Sequence, residues 1–67
     1  MNKDEIIRYY DDLMRLAVSK CGSQTDAEDL VGDTMLAAFS YMNRGGTIEY
    51  PKTWLANTLC HKYNDNL

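Results

Sequence analysis

Thr25-Asp26-Ala27-Glu28-Asp29-Leu30-Val31-Gly32-Asp33-Thr34-Met35 decides how this chain folds. Thr25 and Glu28 have the spacing of a capping box, in which the two side chains satisfy reciprocal orphan amides at a helix start. Ala27, Leu30, Val31, Thr34, Met35, Ala38, Phe39 and Met42 then recur at intervals of three and four, the period of an amphipathic helix. Gly45-Gly46 ends the pattern, so the spacing predicts a helix over 26–43. Its other side carries Asp26, Asp29 and Asp33 at i, i+3 and i+7, which stacks three carboxylates along one face.

Upstream, Ile6, Tyr10, Leu13, Met14, Ala17 and Cys21 keep the same period and predict a helix over about 3–21. Asn2 with Glu5 can cap its start, and Gly22 can end it in the left-handed conformation. The short turn that follows forces the two helices to run roughly antiparallel. Downstream, residues 44–50, Arg-Gly-Gly-Thr-Ile-Glu-Tyr, form a loop. Pro51 suits the first position of a helix, where its missing amide hydrogen costs nothing. Trp54, Leu55, Thr58, Leu59 and Lys62 continue at three and four, giving a third helix over about 51–65. The expected fold is all-α, a helical hairpin plus a third helix, with residues 1–67 as one domain. No helix stop signal precedes Leu67, so a fragment of a longer chain is expected.

A chain of 67 residues is one domain at most, and one this small buries only about 60% of the surface its unfolded chain exposes. The 45% apolar and 25% charged content suit a soluble globular domain. No uncharged apolar run approaches the roughly 20 residues of a membrane span, and Met1-Asn2-Lys3-Asp4-Glu5 lacks a signal-peptide core. The expectation is a cytoplasmic protein. Cys21 and Cys60 do not resemble the disulfide framework of a small secreted domain, so free thiols are expected.

The net charge of −3 argues at first against nucleic acid. Its distribution softens that objection, because residues 1–43 hold four basic against eight acidic side chains and residues 44–67 hold three against two. The excess of acids is confined to the first two predicted helices, and four of them, Asp26, Glu28, Asp29 and Asp33, lie on the second. Near a helix N-terminus each is stabilised by about 0.3–1 kcal/mol through the backbone dipole, which accounts for Asp26, Glu28 and Asp29. Asp33, two turns in, lies beyond that reach. Like charges at this spacing cost a few tenths of a kcal/mol, which a partner supplying Arg or Lys would offset.

Asp26-Ala27-Glu28-Asp29-Leu30-Val31, followed by Asp33-Thr34-Met35, resembles the region-two motif of bacterial sigma factors of the extracytoplasmic-function group, usually D-A-E-D-L-V-Q-E-x-F. Thr53-Trp54-Leu55, with Asp65 ten residues after Leu55, is similar to the family's second marker, a W-L pair opening a helix that ends in N-x-x-x-D. The likeness runs from the first helix through the third. It implies a transcription initiation module that docks on the clamp helices of the largest subunit of RNA polymerase and recognises and helps to melt the minus-ten promoter element. By position, Asp26, Asp29 and Asp33 would face basic residues of the clamp. The loop and the start of the third helix would receive the extruded non-template base. Arg44, Tyr50, Lys52, Asn57, His61 and Lys62 are the groups on hand to bind DNA, by stacking and edge hydrogen bonds among other contacts. The partners implied are polymerase core, promoter DNA and an anti-sigma factor, with no cofactor. Two departures stand out: Gly32 replaces the family's Gln, and Thr58-Leu59-Cys60-His61 stands where I-A-R-N is common.

Other chemistry finds little support in the residues. Cys60-His61 with Cys21 falls short of the four ligands at recognisable spacing that a structural zinc needs. The single His and the absence of a Gly-rich phosphate cradle argue against an enzyme. Trp54 heads the apolar stripe of the third helix and reads as core. Tyr9 and Tyr10 cannot both face the core, so one is partly exposed. Tyr50 is open to either a structural or a nucleic-acid role. Met14, Met35 and Met42 read as flexible core filler. Two rival functions remain open: a helical module that binds a basic partner without DNA contact, and a truncated regulator that occupies the clamp without reading promoters. A helix-turn-helix beyond Leu67 would separate the first of these from a sigma factor.

Overall fold

The computed structural model describes residues 3–65. Four helices occur in the order α1 (Lys3–Ile7), α2 (Tyr10–Cys21), α3 (Gln24–Asn43) and α4 (Pro51–Asp65), and no strand occurs among the described residues. The all-α expectation holds, with one change at the N-terminal end. The single helix expected over 3–21 is divided at Arg8-Tyr9.

The break is a backbone event. Tyr9 takes φ −89° and ψ 0°, outside the helical well, and its N–H donates to the Ile6 carbonyl at 3.0 Å, closing a tight turn. α2 then starts afresh, with Leu13 N–H donating to the Tyr9 carbonyl at 2.9 Å and with Asp11 and Asp12 in its first turn, where the dipole favours acids. Tyr9 becomes half-buried against the core and Tyr10 is exposed, so the apolar stripe passes through Tyr9 rather than Tyr10. The expected cap at Asn2 lies outside the described residues.

Gly22, at φ +69°, ends α2 in the left-handed conformation. Ser23 follows in extended geometry, and its Oγ accepts from Asp26 N–H at 3.4 Å. The cap of α3 is therefore Ser23 and not Thr25, because Ser23 is the residue that leaves the glycine reversal with a non-helical backbone. Thr25 and Glu28 lie inside the first turns, where Gln24 Nε2 donates to Glu28 Oε1 at 3.5 Å. A two-residue reversal leaves α3 only one way to run, back along α2.

α3 is the spine, about 30 Å long at the helical rise of 1.5 Å per residue. It packs against each of the other helices, while α2 also touches α4. Ala27, Leu30, Val31, Met35 and Ala38 supply its buried stripe, met by Ile6, Leu13 and Ala17 from one side and Leu55 and Leu59 from the other. Thr34 is the polar member of that stripe, and its hydroxyl donates to the Leu30 carbonyl at 2.8 Å, so nothing polar is left unpaired by its burial.

α4 begins at Pro51 as expected, with Trp54 N–H donating to the Tyr50 carbonyl at 2.9 Å. Its far end is tied to α2: the Tyr63 hydroxyl donates to the Lys20 carbonyl at 3.1 Å, and the Lys20 ammonium lies 5.5 Å from the Tyr63 ring centre. Cys21 and Cys60 are free and half-buried.

Candidate functional site

The outward face of α3 carries the charges that the sequence places there. Asp26, Asp29 and Asp33 are all exposed, and among the described residues none of the three carboxylates forms an ion pair. Leu36 lies seven residues beyond Asp29 and three beyond Asp33, so helical spacing sets it on the same face. It is 66% exposed, the most exposed large aliphatic side chain among the described residues. Gly32 lies between Asp29 and Leu36 on this surface. A Cβ built there would meet nothing within 4 Å, so the backbone is presented bare without any packing demand for it.

Sequence reading missed Leu36. Its signal was negative: it is an apolar residue on α3 that falls off the three-and-four series of the core stripe.

A second surface is built where α3 hands over to α4. The Arg44 N–H donates to the Ser40 carbonyl at 3.2 Å, Gly45 N–H to Met42 at 3.0 Å and Gly46 N–H to Tyr41 at 2.9 Å. The last two bonds, with Gly45 at φ +90°, make a Schellman motif that satisfies the helix's final carbonyls. Gly46 is required for a different reason: a Cβ there would overlap the ring of Tyr41. That ring in turn lies 5.5 Å from Trp54, tilted by 35°. The loop is thus pressed against an aromatic pair, and Ile48, only 5% exposed, plugs into the core behind it.

This arrangement leaves an open pocket of about 330 Å³ lined by Thr47, Ile48, Glu49, Tyr50, Thr53, Trp54 and Asn57. Tyr50 is 73% exposed at its mouth. Trp54 is half-buried, packed on the core with one part lining the pocket, so it serves both the core and the opening. Hydroxyls, an amide, a carboxylate and two aromatic rings converge there. They can stack a flat ring and hydrogen-bond its edge.

The expected DNA-binding residues do not form one cluster. Asn57 and His61 stand four residues apart on one face of α4, and Tyr50 lies seven residues before Asn57, just ahead of the helix; all three are exposed, and Tyr50 and Asn57 line the pocket. Arg44 is exposed at the end of α3, outside the pocket lining. Lys52 turns to a separate groove of about 300 Å³ between α2 and α4, beside Tyr9, Asp12, Arg15, Leu16 and Ala56. Lys62 is half-buried. Thr47, Glu49, Thr53 and the supporting Tyr41 are additions that sequence reasoning did not reach; the pattern Tyr41 to Gly46, five residues apart across a helix end, is the signal that could have found the last.

Among the described residues, no group of three His, Cys, Asp or Glu side chains could hold a metal ion, and no helix is long and apolar enough to cross a membrane. Compared with known families, residues 6–66 match the model for sigma-70 region 2. No curated protein and no solved structure matches the chain.

Proposed function

Because this chain belongs to the sigma-70 region 2 family, a transcription initiation domain that binds RNA polymerase and recognises the minus-ten promoter element, we propose that the outward face of α3 docks on the clamp helices of the largest polymerase subunit. The observation that carries this is the placement of Leu36 beside Asp29 and Asp33, on the side of α3 away from the core. An exposed leucine framed by carboxylates suits a partner helix that offers an apolar groove with Lys or Arg on its rim. The carboxylates steer encounter and set register, and the leucine supplies the desolvated centre. Gly32 allows the partner helix to approach the α3 backbone where the family's Gln would hold it off.

The same proposal assigns promoter recognition to the second surface. The pocket at the loop takes an extruded non-template base, with Tyr50 and Trp54 as stacking groups and Asn57 at the base edge. Capturing that base offsets part of the cost of unpairing it, which is how such a surface helps to open the duplex. Arg44, Lys52 and His61 lie outside the base pocket and are left for the backbone on either side. Within the family, the D-A-E-D-L-V pattern of Asp26 to Val31 fits the extracytoplasmic-function group.

The test is binding of the full chain to polymerase core, comparing the wild type with Asp29→Lys, Asp33→Lys and Leu36→Asp. Loss of a buried leucine contact predicts on the order of tenfold weaker binding or more for Leu36→Asp. The two charge reversals should weaken binding less and flatten its dependence on salt, since exposed pairs are screened over about 8 Å at physiological ionic strength. Undiminished binding in all three variants would sink the α3 interface.

A further inference from the structure

Glu49 stands out in the pocket because it is the one charged residue in the lining, set among hydroxyls, an amide and aromatic rings. Its backbone is held on both sides. Ile48 before it is buried in the core, and Tyr50 after it accepts the first helical bond of α4 from Trp54 N–H at 2.9 Å. The Schellman end of α3 and the Tyr41 ring across Gly46 fix the loop upstream. A carboxylate carried on an anchored stretch of backbone beside an open pocket imposes a rule on what enters.

A carboxylate accepts hydrogen bonds and offers none. Phosphate oxygens are therefore repelled, which favours a base over the backbone as the occupant. Among bases, adenine, cytosine and guanine each present an exocyclic amine that can donate to Glu49, as carboxylates do with the cytosine amine in duplex readout. Thymine has none. Its single ring N–H is flanked by two carbonyl oxygens, and these would be pressed against the carboxylate. Thr47, Thr53 and Asn57 can each donate or accept, so they can serve any base and discriminate little.

We infer that Glu49 makes the pocket select an amine-bearing base and reject thymine at the extruded position. The inference rests on the proposed capture of a base at this site. Glu49 is exposed, so water competes for its oxygens and the discrimination sits at the low end for a polar base contact, roughly 5- to 10-fold.

The experiment uses polymerase core reconstituted with the full chain and a library of forked promoter DNA whose single-stranded non-template minus-ten segment is randomised. Bound DNA is sequenced for the wild type, Glu49→Thr, Glu49→Gln and Tyr50→Ala. Wild type should deplete thymine at one position by the stated factor. Glu49→Thr should abolish that depletion and leave the other positions unchanged, and Glu49→Gln, whose amide can donate to a thymine carbonyl, should raise thymine further. If Tyr50→Ala erases the preference at that position while both Glu49 variants leave it as in the wild type, the role of Glu49 is overturned and base capture survives. If all four proteins give the same base profile, base capture fails and the inference falls with it.

Discussion

Replacing Gly32 by alanine should stabilise the domain. Gly32 sits in the interior of the 20-residue α3, nine positions after its N-cap, and a Cβ there would meet nothing within 4 Å. No clash opposes the substitution, and no left-handed backbone requires the glycine, whose φ is not positive. What remains is the entropy lost by glycine on entering a helix, worth about 0.8–1 kcal/mol relative to alanine. Much of the gain arises in the unfolded chain, which alanine restricts. For a domain of this size, 1 kcal/mol raises Tm by about 4–8 °C. Thermal denaturation followed by circular dichroism at 222 nm, the usual helix signal, measures it on the isolated chain. An unchanged or lowered Tm would refute the reasoning, since it would mean that the bare backbone at residue 32 makes a contact or a local bend that a methyl group disturbs. Gly32→Gln carries the same propensity gain less a few tenths of a kcal/mol. If it stabilises the fold yet weakens polymerase binding, the glycine is kept for the approach of the partner.

Gly46→Ala forces the new methyl group into the Tyr41 ring and should cost about 1–3 kcal/mol, as other overpacked sites do. Urea denaturation of Gly46→Ala, Tyr41→Ala and the double variant checks it: the double variant should be more stable than the sum of the two single losses, and strict additivity would contradict the contact. Ser23→Ala should lower stability by about 0.5–1 kcal/mol, near the bottom of the usual range because its 3.4 Å bond is long. Thr25→Ala, inside the helix, should be neutral or stabilising in the same melting assay. A larger loss at Thr25 than at Ser23 would restore the capping box that the sequence suggests. Tyr63→Phe removes the bond to the Lys20 carbonyl while keeping the ring over the Lys20 ammonium, and should cost about 0.5–1.5 kcal/mol in urea. No change at all would make that bond incidental.

Three helix ends were legible because a residue with one strong preference stands at each: Gly22, Gly45 and Pro51. The break between α1 and α2 was not. Ile6, Leu13 and Ala17 keep helical spacing straight across it, and neither Gly nor Pro lies between them, so the pattern of burial is nearly the same with or without the turn at Arg8-Tyr9. The cap of α3 was misplaced by two residues because Ser23 and Thr25 are both good capping residues. Only the glycine reversal beside Ser23 decides between them. The acidic face could be read from the spacing of Asp26, Asp29 and Asp33 alone. The pocket could not, since it depends on Ile48 turning inward from a polar loop and on a ring five residues away holding Gly46.

Tyr63 gives the domain a form of strain relief. A pull applied to the C-terminal end of α4 reaches the Tyr63 latch on α2 before it reaches Leu59 and Leu55, and well before Trp54 and Asn57 at the pocket. Part of the load is therefore shared with the α2–α3 hairpin, the most extensively packed pair of helices. The pocket end of α4 is the end farthest from such a pull, with the latch and the Leu59 and Leu55 contacts standing between.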